Sequence, residues 1–153
     1  MPASDAMPLI SHAIQLAIAP VFLLTGIAGL LGVMATRLAR VIDRGRALEA
    51  AWKDFDDKAR AQALVELAYL ERRRKLASWA INSCTAAALL VCLVIAVLFF
   101  DEFFATNLRW AEGGLFVLAM LGVIVGLTSF LREVYLATHS TILDAAHFYA
   151  TRD

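Results

Sequence analysis

The stretch that decides the fold is LASWAINSCTAAALLVCLVIAVLFF, residues 76–100. It contains no Asp, Glu, Lys or Arg, and no Gly or Pro that would interrupt a helix. A helix of about 20 apolar residues is long enough to cross the hydrocarbon core of a bilayer. Residues 76–100 therefore predict a transmembrane helix.

Two further stretches without Asp, Glu, Lys or Arg flank this one along the chain, at residues 6–36 and 113–131. The shorter would measure roughly 28 Å as a helix, which just spans the bilayer core. Apolar residues make up 61% of the 153 residues, against roughly 45–50% in soluble domains. We expect an all-α integral membrane protein that forms a single membrane domain, 1–153, with three transmembrane helices at about 9–36, 76–100 and 113–133.

The charged segment between the first two spans predicts a helical hairpin at about 37–75. No Gly or Pro occurs between Ala47 and Glu112, so we expect the first helix to continue to about Trp52 and the chain to reverse near Asp54–Asp57. Apolar residues at helical spacing predict the packed seam of this hairpin: Leu38, Val41, Ile42, Leu48, Trp52, Phe55, Leu64, Leu67 and Leu70.

The distribution of basic residues predicts the orientation. Eleven of the 14 Lys and Arg residues lie in 37–75, whereas 101–112 holds only Arg109 and 1–9 holds none. Lys and Arg accumulate in cytoplasmic loops, so we expect the hairpin and the C-terminus in the cytoplasm and the N-terminus outside.

Small and polar residues share one side of each predicted span, where backbones can approach closely or where a water-filled pathway could run. On the third helix this stripe would continue through Ser140, Asp144 and His147. Asn82 could make an interhelical hydrogen bond or line a conduit. The candidate pathway or helix-interface residues are Gln15, Thr25, Gly26, Gly29, Thr36, Asn82, Gly122 and Gly126.

Charged residues converge at the predicted inner ends of the three spans. Asp43 stands three residues after Arg40, a spacing at which the two could pair. The group could be a topology anchor for anionic headgroups, or a structured network that binds phosphate-bearing lipid or solute or gates a pore. Its predicted members are Arg40, Asp43, Arg44, Arg74, Arg132 and Glu133.

Catalysis and cofactor chemistry find little support. No zinc-protease, hydrolase or phosphate-binding-loop motif is present, so we expect a protein that is not an enzyme and has no metal or cofactor. Cys84 and Cys92 fall eight residues apart on one helix, about 12 Å by helical rise, too far to form a disulfide. A formal net charge of zero does not suggest a nucleic-acid partner.

The runs RVIDRGRALE (40–49), ERRRKLASWAI (71–81) and FLREVYLA (130–137) resemble a family of small bacterial membrane proteins catalogued as domain of unknown function 2721. The resemblance covers about residues 10–145 and implies a three-span protein of the bacterial inner membrane. It supplies no activity. The matching polar positions are Arg40, Asp43, Arg44, Arg46, Arg72, Arg73, Arg74, Arg132 and Glu133.

Two hypotheses for function follow. The first is a homo-oligomeric ion channel or small-solute conduit, in which the polar sides of the spans face the pathway. The alternative is a non-transporting scaffold or regulatory subunit whose hairpin binds a cytoplasmic protein. Both involve membrane lipids, including anionic headgroups, as partners.

Overall fold

Three long helices account for the fold in the computed structural model. The structure describes the backbone of residues 3–104 and 107–150, and the side chains of residue 12 and of residues 14–104 and 107–137. Helix α1 spans Ala3–Ala50, α2 spans Asp57–Phe104 and α3 spans Arg109–Ala150. A short 3-10 helix, Ala51–Asp54, follows α1. The described backbone contains no strand, in agreement with the predicted all-α class.

Each helix contains a segment long and apolar enough to cross a membrane, within Ile14–Asp54, Asp57–Phe104 and Arg109–Ala137. Helices α1 and α2 each have 48 residues, roughly 72 Å at 1.5 Å per residue, more than twice the thickness of the hydrocarbon core. Both helices therefore extend well beyond their apolar stretches, as the sequence predicts.

The chain divides into two compact units, one drawn from Met1–Gly32 and Asn82–Val125 and the other from Val33–Ile81 and Gly126–Asp153. We call these the first and the second unit.

The hairpin of the second unit reverses where the sequence predicts. Helix α1 ends at Ala50, two residues before the expected end, and α2 begins at Asp57. Asp56 caps α2, since its Oδ1 accepts a hydrogen bond from the backbone N–H of Ala59 at 2.7 Å. The reversal therefore rests on helix capping and on extended backbone at Phe55 (φ −80°, ψ 137°) and needs neither Gly nor Pro.

The hairpin core differs in part from the predicted seam. Val41, Leu48, Ala63 and Leu70 are buried together, and Trp52, Phe55 and Leu67 pack against them. Leu64 was expected in the seam, but 58% of it is exposed. Its place is taken by Ala63, whose small side chain fits between closely packed helices.

Buried positions recur every seven residues along all three helices. They are Ile27, Met34, Val41 and Leu48 on α1; Ala63, Leu70, Ala77, Cys84, Val91 and Leu98 on α2; and Ala119, Gly126 and Glu133 on α3. A seven-residue period is the pattern of helices that pack along their lengths at small crossing angles.

In the first unit, α3 lies close against α2 at Gly122. A Cβ atom placed on Gly122 would lie 3.1 Å from the Cβ of Ala87 and 3.5 Å from the carbonyl oxygen of Ser83. The absent side chain is therefore what allows these helices to approach so closely.

The small side of α1 is not covered inside the single chain. Gly26 and Gly29 are exposed, and a Cβ on either would meet no atom within 4 Å. Ile27 and Met34, in contrast, are each only 1% exposed. Bulky residues bury more apolar area, and α1 turns that side inward.

Candidate functional site

The seven-residue register places charged groups inside the second unit. Glu133 occupies a buried position of α3, seven residues after Gly126. Arg37 and Arg44 follow the buried Met34 and Val41 of α1 by three residues, and Arg73 follows the buried Leu70 of α2 by three. Residues three apart share a helix face, so these side chains lie beside the packed faces.

Glu133 is the central group. It is 1% exposed, and no other charged residue among the described side chains is buried. Its Oε1 accepts two hydrogen bonds from Arg73, from Nη2 at 2.7 Å and from Nε at 3.1 Å. Its Oε2 lies 3.5 Å from the Nε of Arg37 and accepts no hydrogen bond from a described residue. One buried carboxylate thus holds two guanidinium groups from different helices.

Aromatic residues hold the same two arginines. The guanidinium carbon of Arg37 lies 5.6 Å from the ring centre of Phe130, and that of Arg73 lies 5.9 Å from the ring centre of Tyr69. Both are cation–π distances. The Tyr69 hydroxyl donates a hydrogen bond to the carbonyl oxygen of Leu136, which ties α2 to α3.

A third arginine is held by the hairpin itself. Arg44 donates two hydrogen bonds to Glu66, from Nε to Oε1 at 2.7 Å and from Nη2 to Oε2 at 3.2 Å. This is the bidentate geometry that guanidinium and carboxylate groups favour. The hydrogen-bonded Glu66 carboxylate raises the pKa of Arg44 further above its ordinary value, so Arg44 is charged at any physiological pH.

These arginines line a groove of about 450 Å³ in the second unit. Its walls are Arg37, Arg40, Val41, Arg44, Leu70 and Arg73. Four guanidinium groups face two paired carboxylates, Glu133 and Glu66, which leaves a surplus of two positive charges. Such a groove can hold an anion, or can favour anions at the mouth of a conduit.

The six predicted members of the charge network do not form one cluster. Arg44 and Glu133 take part in ion pairs beside the groove, and Arg40 lines it. Arg40 and Asp43 make no ion pair with each other or with another described residue. Arg74 pairs with Glu71 on its own helix at 2.8 Å, and Arg132 is exposed. The sequence prediction missed Arg37 and Arg73 as partners of Glu133, and Glu66 as the partner of Arg44.

The predicted pathway residues fall into two groups. Gln15, Thr25, Gly26, Gly29, Thr36 and Asn82 are exposed, Gly126 is buried and Gly122 is half-buried. Neither Gln15 nor Asn82 makes a hydrogen bond with a described residue, whereas the Thr25 hydroxyl donates to the Val21 carbonyl at 3.1 Å. The side chains of Ser140, Asp144 and His147, the predicted extension of the polar stripe on α3, lie outside the described residues.

Among the residues whose side chains are described, no three His, Cys, Asp or Glu side chains come together as metal ligands would. Cys84 is buried and Cys92 is exposed, and both are free thiols.

Three helices that can each cross a membrane define a multi-pass membrane protein by length and composition. Residues 17–142 match the family model described as "Protein of unknown function (DUF2721)". The chain therefore belongs to this family, as the sequence resemblance suggested. No curated protein and no solved structure matches the chain.

Proposed function

We propose that the protein assembles from several copies in the bacterial inner membrane into a conduit for ions or small solutes. The observation that carries this proposal is the uncovered polar side of α1. Gln15, Thr25, Gly26, Gly29 and Thr36 lie on that side, and each is exposed in the single chain.

The exposed carboxamide of Gln15 needs a partner. A carboxamide in hydrocarbon without a hydrogen bond is costly, and Gln15 finds none among the described residues. A second copy of the chain, or water in a central pathway, would supply that bond. Three helices alone enclose no pathway wide enough for water, so both solutions require an oligomer.

The groove gives the conduit its preferred charge. If the hairpin faces the cytoplasm, its four arginines meet the cytoplasmic solution, where their surplus positive charge would raise the local concentration of anions. We therefore expect anions to pass more readily than cations of similar size.

The test has two stages. Native mass spectrometry and imaging of the protein in nanodiscs give the number of subunits, and liposome flux assays then compare anions with cations.

The double variant Gly26→Leu/Gly29→Leu should dissociate the assembly and abolish flux, since leucine prevents the close approach of helices. Gly114→Leu is the matched control, because a Cβ there also meets no atom within 4 Å in the single chain. A monomer without flux would exclude the conduit.

A second candidate function is a scaffold that binds a cytoplasmic protein through the hairpin. Two apolar residues of the hairpin favour it. Leu64 is 58% exposed and Val65 is 73% exposed. Both lie outside the three uncharged stretches that are predicted to span the membrane, so contact with lipid does not explain their exposure. Leu64 also lines an apolar groove of about 330 Å³ with Trp52 and Leu67. A protein partner that binds the native hairpin should no longer bind the double variant Leu64→Lys/Val65→Lys and should still bind the control variant Ala61→Lys. The absence of any such partner would count against the scaffold.

A further inference from the structure

We propose that the groove between α1 and α2 of the second unit is a binding site for a phosphate group. The groove is lined by Arg37, Arg40, Arg44 and Arg73, with Val41 and Leu70 as its apolar wall. It needs only one copy of the chain, so it stands or falls independently of the conduit.

The charge of the groove fits a phosphate. Glu133 pairs with Arg73 and Arg37, and Glu66 pairs with Arg44, so two of the four positive charges are not balanced by these carboxylates. A phosphate carries one to two negative charges at neutral pH. Asp43, also on α1, neither lines the groove nor pairs with its arginines, so it does not cancel this surplus.

The availability of donors fits as well. Arg40 is exposed and makes no ion pair with a described residue, so all its N–H groups can turn to a ligand. Arg37 lies 3.5 Å from Glu133 through its Nε and donates no hydrogen bond to a described residue, so its N–H groups can also turn to a ligand. The planar fork of a guanidinium group matches two phosphate oxygens at once.

Glu133 and the aromatic rings act as positioning groups. The carboxylate fixes Arg73 through two hydrogen bonds, and Phe130 lies under Arg37. Arginine side chains lose about 2 kcal/mol of rotamer freedom when fixed, so holding them beforehand lowers the entropic cost of binding.

The place of the groove along the helices favours phosphate over other anions. Arg37 directly follows the uncharged stretch 6–36, and Arg73 stands three residues before the uncharged stretch 76–100. The ends of spanning helices lie at the level of lipid phosphates. The volume of about 450 Å³ also exceeds what a halide would fill. The phosphate could belong to a lipid headgroup or to a soluble molecule that enters from the aqueous side.

The experiment uses the full-length protein in a detergent without phosphate groups, at constant ionic strength. In one arm phosphatidylglycerol is added to the micelles and bound lipid is counted by native mass spectrometry. In the other arm inorganic phosphate and pyrophosphate are titrated and binding is measured by calorimetry. Saturable binding in the first arm alone assigns the site to a headgroup, and binding in the second assigns it to soluble phosphate.

The diagnostic variant is Arg40→Gln, since Arg40 has no partner in the described fold to lose. Its matched control is Arg46→Gln, which removes the same charge from an exposed position of the same helix that does not line the groove. We expect Arg40→Gln to weaken binding about tenfold or more. Arg40→Lys keeps the charge but lacks the planar guanidinium group, so its affinity should lie between those of the native protein and Arg40→Gln. Unsaturable binding in both arms, or an equal loss with Arg40→Gln and Arg46→Gln, would overturn the proposal.

Discussion

Glu133 is almost completely buried, and two arginines share its carboxylate. Glu133→Ala would leave Arg73, with only 18% of its side chain exposed, without the carboxylate that neutralises it. Breaking a buried ion pair on one side costs about 3–5 kcal/mol. We therefore expect this variant to unfold at a clearly lower temperature than the native protein, measured by circular dichroism in one fixed detergent.

The control for this prediction is the neighbouring pair of Glu71 and Arg74. Its hydrogen bonds are equally short, at 2.8 and 2.9 Å, and Arg74 lowers the pKa of Glu71, but about half of each side chain is exposed. Exposed pairs contribute little to stability, so Glu71→Ala should shift the unfolding temperature only slightly. The prediction fails if Glu71→Ala and Glu133→Ala have equal effects.

Gly122 allows a prediction about space instead of charge. A methyl group on Gly122 would stand 3.1 Å from the Cβ of Ala87, closer than carbon atoms normally pack. Overpacking a tight contact costs about 1–3 kcal/mol. We expect Gly122→Ala to lower the unfolding temperature and the double variant Gly122→Ala/Ala87→Gly to recover part of the loss. Gly114→Ala is the control, because the added methyl group would meet no atom of the chain within 4 Å. It should not lower the unfolding temperature by steric contact, and a drop equal to that of Gly122→Ala would contradict this explanation.

At the scale of the helices, the length of each element followed from uncharged runs and from the absence of Gly and Pro. The uncharged runs did not predict which face of each helix packs inside the chain. The small side of α1 predicted a helix contact or a pathway; in the single chain that side is exposed, whereas Ile27 and Met34 lie inside. Small residues permit close packing, while bulky residues gain more from burial. Which effect decides depends on neighbouring helices, and a single sequence does not reveal them.

The site was predictable in part for the same reason. Arg40, Arg44 and Glu133 were recognised because they are charged residues next to apolar spans. Arg37 and Arg73 were missed as partners of Glu133, although a seven-residue count through Met34, Val41 and Leu70 would have placed both beside the packed faces. That count reveals which charged residues point inward, but the partner that each one meets depends on tertiary packing.

The hairpin core supports a prediction at this scale. Leu48 is 7% exposed and packs with Val41, Ala63 and Leu70. A Leu→Ala substitution at a buried site costs about 2–5 kcal/mol, so Leu48→Ala should loosen the hairpin, seen as faster amide hydrogen exchange across 41–70. Leu64→Ala removes the same atoms from an exposed side chain and should leave exchange nearly unchanged. Similar protection in both variants would mean that this cluster does not hold the hairpin together.

At the scale of the whole molecule, the exposed Gln15 carboxamide lies within one uncharged stretch, and the arginine groove lies next to the ends of two uncharged stretches. The orientation of the hairpin decides which solution and which leaflet the groove meets. Orientation is therefore the property on which the conduit, the scaffold and the source of a soluble ligand all depend.

The orientation can be measured with single cysteines in a Cys84→Ala/Cys92→Ala background. Lys58→Cys marks the start of α2, next to the turn of the hairpin, and Arg109→Cys marks the start of α3; both positions are exposed. Because eleven Lys and Arg residues lie in 37–75, and such loops stay in the cytoplasm, a membrane-impermeant maleimide should label only Arg109→Cys in intact spheroplasts. After permeabilisation both should react. Labelling of Lys58→Cys in intact spheroplasts would place the hairpin outside, and the groove could then bind only ligands from the periplasmic side or from the outer leaflet.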